Sequence, residues 1–363
     1  MKNLKNILLS LLVFLVIWCF VFLFLKLNRL ENMIVWWESD SLVDITPGNK
    51  TSNLSAIQTE LKNNINSNQD SIAAIYAVKT IGSIVEDESG EEKNITTVES
   101  LEWNAIVISN DWYLITNKHV VSSAEKATYK VKLQWEFYPV DKVRFDKLLD
   151  IAILRIKVKN ATIPANIVAM SQQLEIWDVV FAIKNDPEID EFLVKWWIVN
   201  SKNQKFEIQN NNDVYAWLIK NSTSIEGWFS WWPLVNINWE VVWINTAIDN
   251  IEYSASYALP VNKEFINQTL YSIKESWQII RPYLWIEYED SDFYPKVTNI
   301  IEWSPADETD LHVDDIIVWI NNLPVTYNDF LYNLYTYKVW KQITLNIMRN
   351  WHKKDVQITV WKE

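Results

Sequence analysis

The chain has 363 residues, enough for two or three domains, and 49% of them are hydrophobic, enough for sizeable cores. The net charge of -13 disfavours nucleic acid, whose binding rewards basic patches. Cys19 is the only cysteine, which excludes an intramolecular disulfide and leaves no basis for a thiolate metal cluster.

In chain order, residues 7–25 form an uncharged apolar run, close to the ~20 residues a helix needs to cross a bilayer. Lys2 and Lys5 precede it and Lys26 and Arg29 follow it, so the flanking charge bias is weak. A large following domain can translocate regardless. Residues 1–30 therefore read as a cytoplasmic tip and a transmembrane signal anchor, with the bulk of the chain outside the cytoplasm. A cleaved signal peptide fits less well, because the run is long and lacks an A-x-A site. If Trp18 were glycine, Val16 to Cys19 would become a lipobox-like V-I-G-C, although Phe20 to Leu25 stays apolar. Residues 31–70 are polar and predict a linker, with one helix around Ser55 to Asn66. Residues 71–270 hold many short runs rich in Val, Ile and Tyr, broken by turn signals, which predicts an all-β domain. Within it, the acidic residues 86–97 predict an exposed loop. Residues 278–363 alternate strands with two helix-like pieces, Ala306 to Leu311 and Tyr327 to Tyr337, and predict a separate small domain.

The chain carries 22 Trp but only 4 Gly, against a usual glycine content of about 7%. Together the two types make 26 of 363 positions, which matches that average. Many Trp also stand where turn glycines belong: Asp111-Trp112, Asn238-Trp239 and Asn350-Trp351 occupy the place of the Asp-Gly and Asn-Gly hairpin signals. Some bacterial lineages read UGA as glycine, whereas other codes read it as tryptophan. Most Trp positions, among them 103, 112, 228, 231, 232, 239, 243, 285 and 319, are therefore expected to be glycine in the native organism. The alternative is a protein that is simply rich in tryptophan.

Three segments carry the chemistry: LITNKHVV at 114–121, DIAILRI at 150–156 and GWFSWWPLVNINWEVVWINTAI at 227–248. Singly, His119 reads as a core histidine, Asp150 as a turn cap and Ser230 as a loop serine. With glycine for tryptophan the third segment becomes GGFSGGPLVNINGEVVGINTAI. Jointly the three resemble the His, Asp and Ser segments of the HtrA (DegP/DegS-like) family of trypsin-fold serine proteases, in the chain order His, Asp, Ser. Glu102-Trp103-Asn104, Trp177-Asp178, Trp197-Ile198-Val199 and Ser256 to Pro260 resemble further strands of that family. Ser222, Phe229, Lys184 and Asp186 depart from it.

The resemblance implies a mostly β fold: a chymotrypsin-like double β-barrel followed by an α+β PDZ domain, behind the N-terminal transmembrane helix. It implies Ser230 as nucleophile, His119 as general base and Asp150 as the residue that orients the imidazole. The backbone N–H groups of Trp228 and Ser230 would form the oxyanion hole, which is why position 228 wants glycine. Arg281-Pro-Tyr-Leu-Trp-Ile286 resembles the carboxylate-binding loop of a PDZ domain, so Tyr283, Leu284, Trp285 and Ile286 are expected to capture a peptide C-terminus. The implied partners are polypeptide substrates, C-terminal peptides, the membrane and two further copies in a trimer. No cofactor or metal is implied. The competing reading is a catalytically inactive peptide-binding or chaperone-like module, which genuine Trp around Ser230 would favour.

Overall fold

The computed structural model describes residues 71–81, 85–86, 92–93, 96–122, 128–133, 136–158, 174–186, 191–208, 213–221, 232–238, 240–248 and 256–362, with residues 56, 59, 62 and 63. The expected transmembrane segment and most of the linker lie outside them. Residues 56, 59, 62 and 63 are helical, inside the span where a helix is expected. Among the described residues no helix is long and apolar enough to cross a membrane.

The fold is mostly β. The first barrel closes in the order β1 (Ile72–Ile81), β4 (Thr96–Val107), β5 (Tyr113–Thr116), β8 (Ala152–Ile156), β7 (Glu136–Phe145) and β6 (Thr128–Leu133). A small hairpin of β2 (Val85–Glu86) and β3 (Glu92–Lys93) overlaps the stretch 86–97 expected to be an exposed loop, so that stretch is partly paired. The second barrel closes in the order β10 (Glu191–Ile208), β11 (Asp213–Asn221), β14 (Ser256–Pro260), β13 (Val241–Ile248), β12 (Pro233–Val235) and β9 (Val179–Asp186).

Successive side chains of a strand point to opposite faces, and in β1, β5 and β8 both faces are largely buried and apolar. Ala73, Ala105, Val107, Leu114 and Leu154 fill the first barrel. Their neighbours Ile72, Ile106, Ile115 and Ile153 pack outward with Ile183, Leu218, Ile244 and Leu259 of the second barrel. The inner faces of that barrel, Val180, Ala182, Ile219, Leu234 and Val242, make their own cluster. This explains why strands such as β5 and β8 read as continuous apolar runs rather than as alternating ones. Polar contacts fasten the seam: Asn185 N–H donates to Asn104 Oδ1 at 3.1 Å, and the Asn185 amide donates to the Ile72 carbonyl at 3.0 Å.

A short helix, α1 (Lys118–Ser122), follows β5, and a longer one, α2 (Lys263–Ser276), follows the second barrel. Asn262 caps α2, its Oδ1 accepting from Phe265 N–H at 2.8 Å. Phe265, Ile266, Thr269, Leu270 and Ile273 form its buried face. The helix ends at Trp277, which is left-handed at φ 61° and donates its N–H to the Ile273 carbonyl. That is the place where glycine normally ends a helix.

The C-terminal module contains a sheet in the order β16 (Ile286–Ser291), β17 (Tyr294–Ile300), β18 (Ile316–Ile320), β20 (Gln342–Arg349) and β21 (His352–Thr359), with β19 (Leu323–Pro324) paired to β18. A separate two-stranded pair joins β15 (Pro282–Tyr283), at the start of the module, to β22 (Trp361–Lys362), at its end. Leu284, Ile286, Val297, Ile317, Leu345 and Val356 belong to its core.

The two expected helices of this module differ from expectation. Residues 306–310 form turns rather than a helix. Thr309 N–H bonds to the Ala306 carbonyl at 3.1 Å, and the Thr309 hydroxyl donates to the same carbonyl at 2.7 Å. Such side-chain bonds compete with an α-helical ladder. The second is α3 (Phe330–Leu334), shorter than the expected Tyr327 to Tyr337. Asp329 before it has φ -107° and ψ 0° and accepts the Thr326 N–H at 2.6 Å, and beyond its end the Tyr337 N–H tightens onto the Leu334 carbonyl at 3.0 Å.

Seven of the fourteen non-glycine residues with positive φ, among those described, are tryptophan: 112, 177, 277, 285, 303, 340 and 351. Arg349 pairs with His352 across a two-residue turn in which Asn350 and Trp351 have φ of 50° and 66°. A two-residue turn with both φ positive is the geometry that favours Asn-Gly. Trp351 is 94% exposed, so its indole gains little packing there. A left-handed non-glycine residue costs roughly 1–2 kcal/mol, while glycine adds roughly 0.5–1 kcal/mol of unfolded-state entropy. Trp351→Gly should therefore stabilise the chain by roughly 0.5–1 kcal/mol. Chemical denaturation of the two chains checks this, and a lower midpoint for the glycine chain would refute it.

Candidate active site

β5 runs through Thr116 into α1, and the first turn of α1 carries His119. The next two residues, Val120 and Val121, are buried in the first-barrel core and pin the helix. Tyr129 from β6 holds its end, donating its hydroxyl to the Val121 carbonyl at 2.6 Å. Asp150 comes from the turn between β7 and β8. The fold brings these two residues together across 31 positions of sequence: His119 Nδ1 lies 2.6 Å from Asp150 Oδ2.

The carboxylate accepts two further bonds. Asp150 Oδ1 accepts the His119 backbone N–H at 3.0 Å, and Oδ2 accepts the Asn117 amide at 3.0 Å. Burial pushes the Asp150 carboxyl up, but the bonds and charge of His119, with the Asn117 amide, outweigh it and hold the group below its ordinary value. Asp150 is then an ionised acceptor, so Nδ1 of His119 must be the donor. In the neutral ring this leaves Nε2 as the basic nitrogen. The imidazole is 42% exposed and the carboxylate side chain 11%, so a substrate can reach the ring while the acid stays shielded. The pair is chemically suited to take a proton from a hydroxyl and to hold the resulting imidazolium.

Ser230 and Trp228 lie outside the described residues, as do Trp231 and Trp239. Pro233, three positions after Ser230, begins β12, and Trp232 before it is buried at 4% exposure in the second-barrel core. Of the other residues expected to be glycine, Trp103, Trp243 and Trp319 stand in β4, β13 and β18, and only Trp112 and Trp285 have positive φ.

The expected peptide loop spans β15 to β16. Tyr283 lies in β15, Leu284 and Ile286 are buried, and Trp285 between them is left-handed at φ 59°. The Trp285 carbonyl accepts the Ile301 N–H at 3.0 Å, while its indole N–H is buried without a partner. A buried unpaired donor is costly, and a glycine there would carry none. β16 is the edge of its sheet, which suits it to receive an added strand.

Sequence reasoning missed Asn117, which holds Asp150 from two positions before His119. It also missed Asp146, which organises the turn that carries Asp150. An amide or acid near a motif has no local pattern to mark it.

Residues 104–243 match the family model of the trypsin-like peptidase domain, and residues 282–360 match that of the PDZ domain. The chain is 26% identical over 275 residues to a probable periplasmic serine endoprotease DegP-like of Pseudomonas putida (strain W619), covering 71% of this chain and 55% of that protein. It is 26% identical over 232 residues to the serine endoprotease DegS of Haemophilus influenzae, covering 60% and 64%. The chain thus spans about half to two thirds of the length of these relatives. Among solved structures, the HtrA-type protease AlgW with decapeptide shares the fold at a TM-score of 0.59 and 21% identity, over 84% of this chain and 98% of that one. The chain therefore carries a trypsin-like peptidase domain over residues 104–243 and a PDZ domain over residues 282–360, and is similar to DegP-like and DegS serine endoproteases.

Proposed function

We propose that the chain is an extracytoplasmic serine endopeptidase that cleaves misfolded or specific envelope proteins, anchored to the membrane by residues 1–30. Residues 71–270 are its protease domain and residues 278–363 its PDZ domain. The observation that carries the reading is the 2.6 Å contact between His119 and the shielded Asp150 on a trypsin-like barrel. Ser230 attacks the scissile carbonyl, His119 takes its proton and passes it to the leaving amine, and Asp150 holds the imidazolium. The N–H groups of positions 228 and 230 receive the developing oxyanion. The loop Tyr283 to Ile286 takes a peptide C-terminus, with the peptide added along β16. Periplasmic stands in the name of the Pseudomonas relative, which supports a location outside the cytoplasm. The family resemblance extends the reading to a trimer.

The reading includes glycine at positions 228, 231 and 232. The left-handed Trp at seven other positions supports such decoding, because an L-residue with a Cβ disfavours that region. One observation favours the competing, inactive peptide-binding module: Trp232 is accommodated in a buried cluster with Val180, Val199 and Leu234. Peptide masses of the native protein decide the decoding. The full chain with glycine at 228, 231 and 232 should cleave an unfolded protein, and the chain as written should not. An inactive glycine chain, assayed across temperatures and with C-terminal peptides present, would transfer the assignment to the binding module.

A further inference from the structure

A second charged pair lies under the turn that carries Asp150. Asp146 ends β7 and opens that turn. Its Oδ1 accepts the N–H groups of Leu148 at 3.0 Å and Leu149 at 3.2 Å, and its own N–H donates to the Ile151 carbonyl at 2.9 Å. The turn is thus wound around one carboxylate, four residues before Asp150. The other oxygen, Oδ2, faces Arg281: Nε donates to it at 2.7 Å, and Nη2 lies 2.6 Å away without hydrogen-bond alignment. Both side chains are almost wholly buried, at 2% exposure for Arg281 and 1% for Asp146.

Arg281 is itself fixed on three sides. Nη1 donates to Gln268 Oε1 at 3.0 Å and Thr269 Oγ1 at 2.9 Å, both on α2. The Gln268 amide donates back to the Ile280 carbonyl at 2.8 Å. The guanidinium lies over the Phe265 ring at 4.2 Å and near the Tyr335 ring at 5.7 Å, and Phe265 stacks on Tyr332 at 5.8 Å. One cation therefore joins the Asp150 turn, α2 and Tyr335 of the C-terminal module.

Stability alone gives a poor reason for this arrangement, because a buried ion pair gains little over apolar residues of the same size. Its geometric effect is definite: it fixes where the turn sits. We propose that Arg281 is a positioning residue for the His119–Asp150 pair, acting through the Asp146 carboxylate to hold the turn that aims Asp150 at Nδ1. The proposal rests on the catalytic reading of that pair. Arg281 touches neither residue of the pair, and it comes from 135 positions beyond Asp146, at the start of the PDZ segment.

The test uses the full-length chain, as written and with glycine at 228, 231 and 232. The variants are Arg281→Lys, Arg281→Gln, Asp146→Asn and the double Asp146→Asn/Arg281→Gln. The first readout is the far-downfield proton resonance of the His119 Nδ1–H bonded to Asp150, assigned by its loss in His119→Gln. The second is the split of kcat from KM on an unfolded protein. Circular dichroism reports the fold. Arg281→Lys keeps the charge but not the planar fork, and it should broaden or shift the resonance and lower kcat up to about 100-fold, as small misplacements do, with KM within about twofold. The double variant should recover part of both, because an asparagine can still cap the turn and no buried charge is left alone. Folded variants with the wild-type resonance and kcat would overturn the proposal. So would loss of fold in every variant, since the pair would then act on the fold rather than on the dyad. A chain whose resonance responds as expected but which cleaves nothing would unseat the endopeptidase reading and leave this one standing.

Discussion

Ser230→Ala in the chain with glycine at 228, 231 and 232 should lower kcat by about a millionfold, with KM little changed. The size follows from removing the nucleophile of a unit whose members act together, since loss of the serine alone costs about as much as loss of the whole triad. Alanine removes one oxygen and little volume, so folding and substrate binding should survive. A residual rate of about 10³–10⁴ over water is expected from oxyanion donors and binding alone. The measurement is cleavage of one unfolded protein by both chains, with equal secondary structure checked first. Equal rates would show that Ser230 is not the nucleophile, whatever the His119–Asp150 geometry.

Asp150→Asn should lower kcat by about 10⁴ while the fold stays intact. The carboxylate accepts three bonds, from His119 N–H, His119 Nδ1 and the Asn117 amide. An asparagine offers one acceptor oxygen and a donor NH₂, so at least one of these donors would meet another donor. If the NH₂ faces Nδ1, the ring must carry its proton on Nε2, and the base is lost. The substitution also changes the pH dependence of stability. The Asp150 carboxyl lies below its ordinary value of 3.8 in the fold. Its contribution is therefore fully present above that value and is lost only as pH falls through the lower folded one. The wild-type chain should lose this part of its stability below about pH 4, and Asp150→Asn should lack that component of the acid limb. Denaturation midpoints across pH read it directly. A variant that keeps wild-type kcat would remove Asp150 from the mechanism.

Much of the site was legible before any fold was known. His119 and Asp150 stand in strand-flanked segments whose Val/Ile content marks buried β structure, and His-Asp-Ser order is a linear property. The turns were equally readable. Asn350-Trp351 and Asp111-Trp112 sit where a hairpin needs positive φ, and both Trp have it, at 66° and 63°. The physical reason is locality: strand alternation, turn chemistry and left-handed backbone are set by residues a few positions apart. Even so, local signals misled where side chains compete with the backbone, as Thr309 does in the stretch expected to be a helix.

Distance in sequence is where that legibility ended. Nothing near Asp150 says that Asn117 will donate to it, or that the two oxygens will divide between a backbone N–H and a ring. In the sequence Asp146 carries no mark and Arg281 only opens the stretch that resembles a carboxylate-binding loop, yet the two are buried against each other across 135 positions. Such a pair is tolerated because α2 supplies Gln268 and Thr269 to the Nη1 donors, and because Phe265 and Tyr335 cover the guanidinium. By itself the sequence determined a mostly β chain, and through a family resemblance it pointed to a histidine, an acid and a serine as a candidate site. The tertiary structure alone decided which further groups hold the acid, because desolvation and hydrogen-bond geometry depend on what the closed barrel and α2 bring to that point, and neither is encoded in a short stretch of chain.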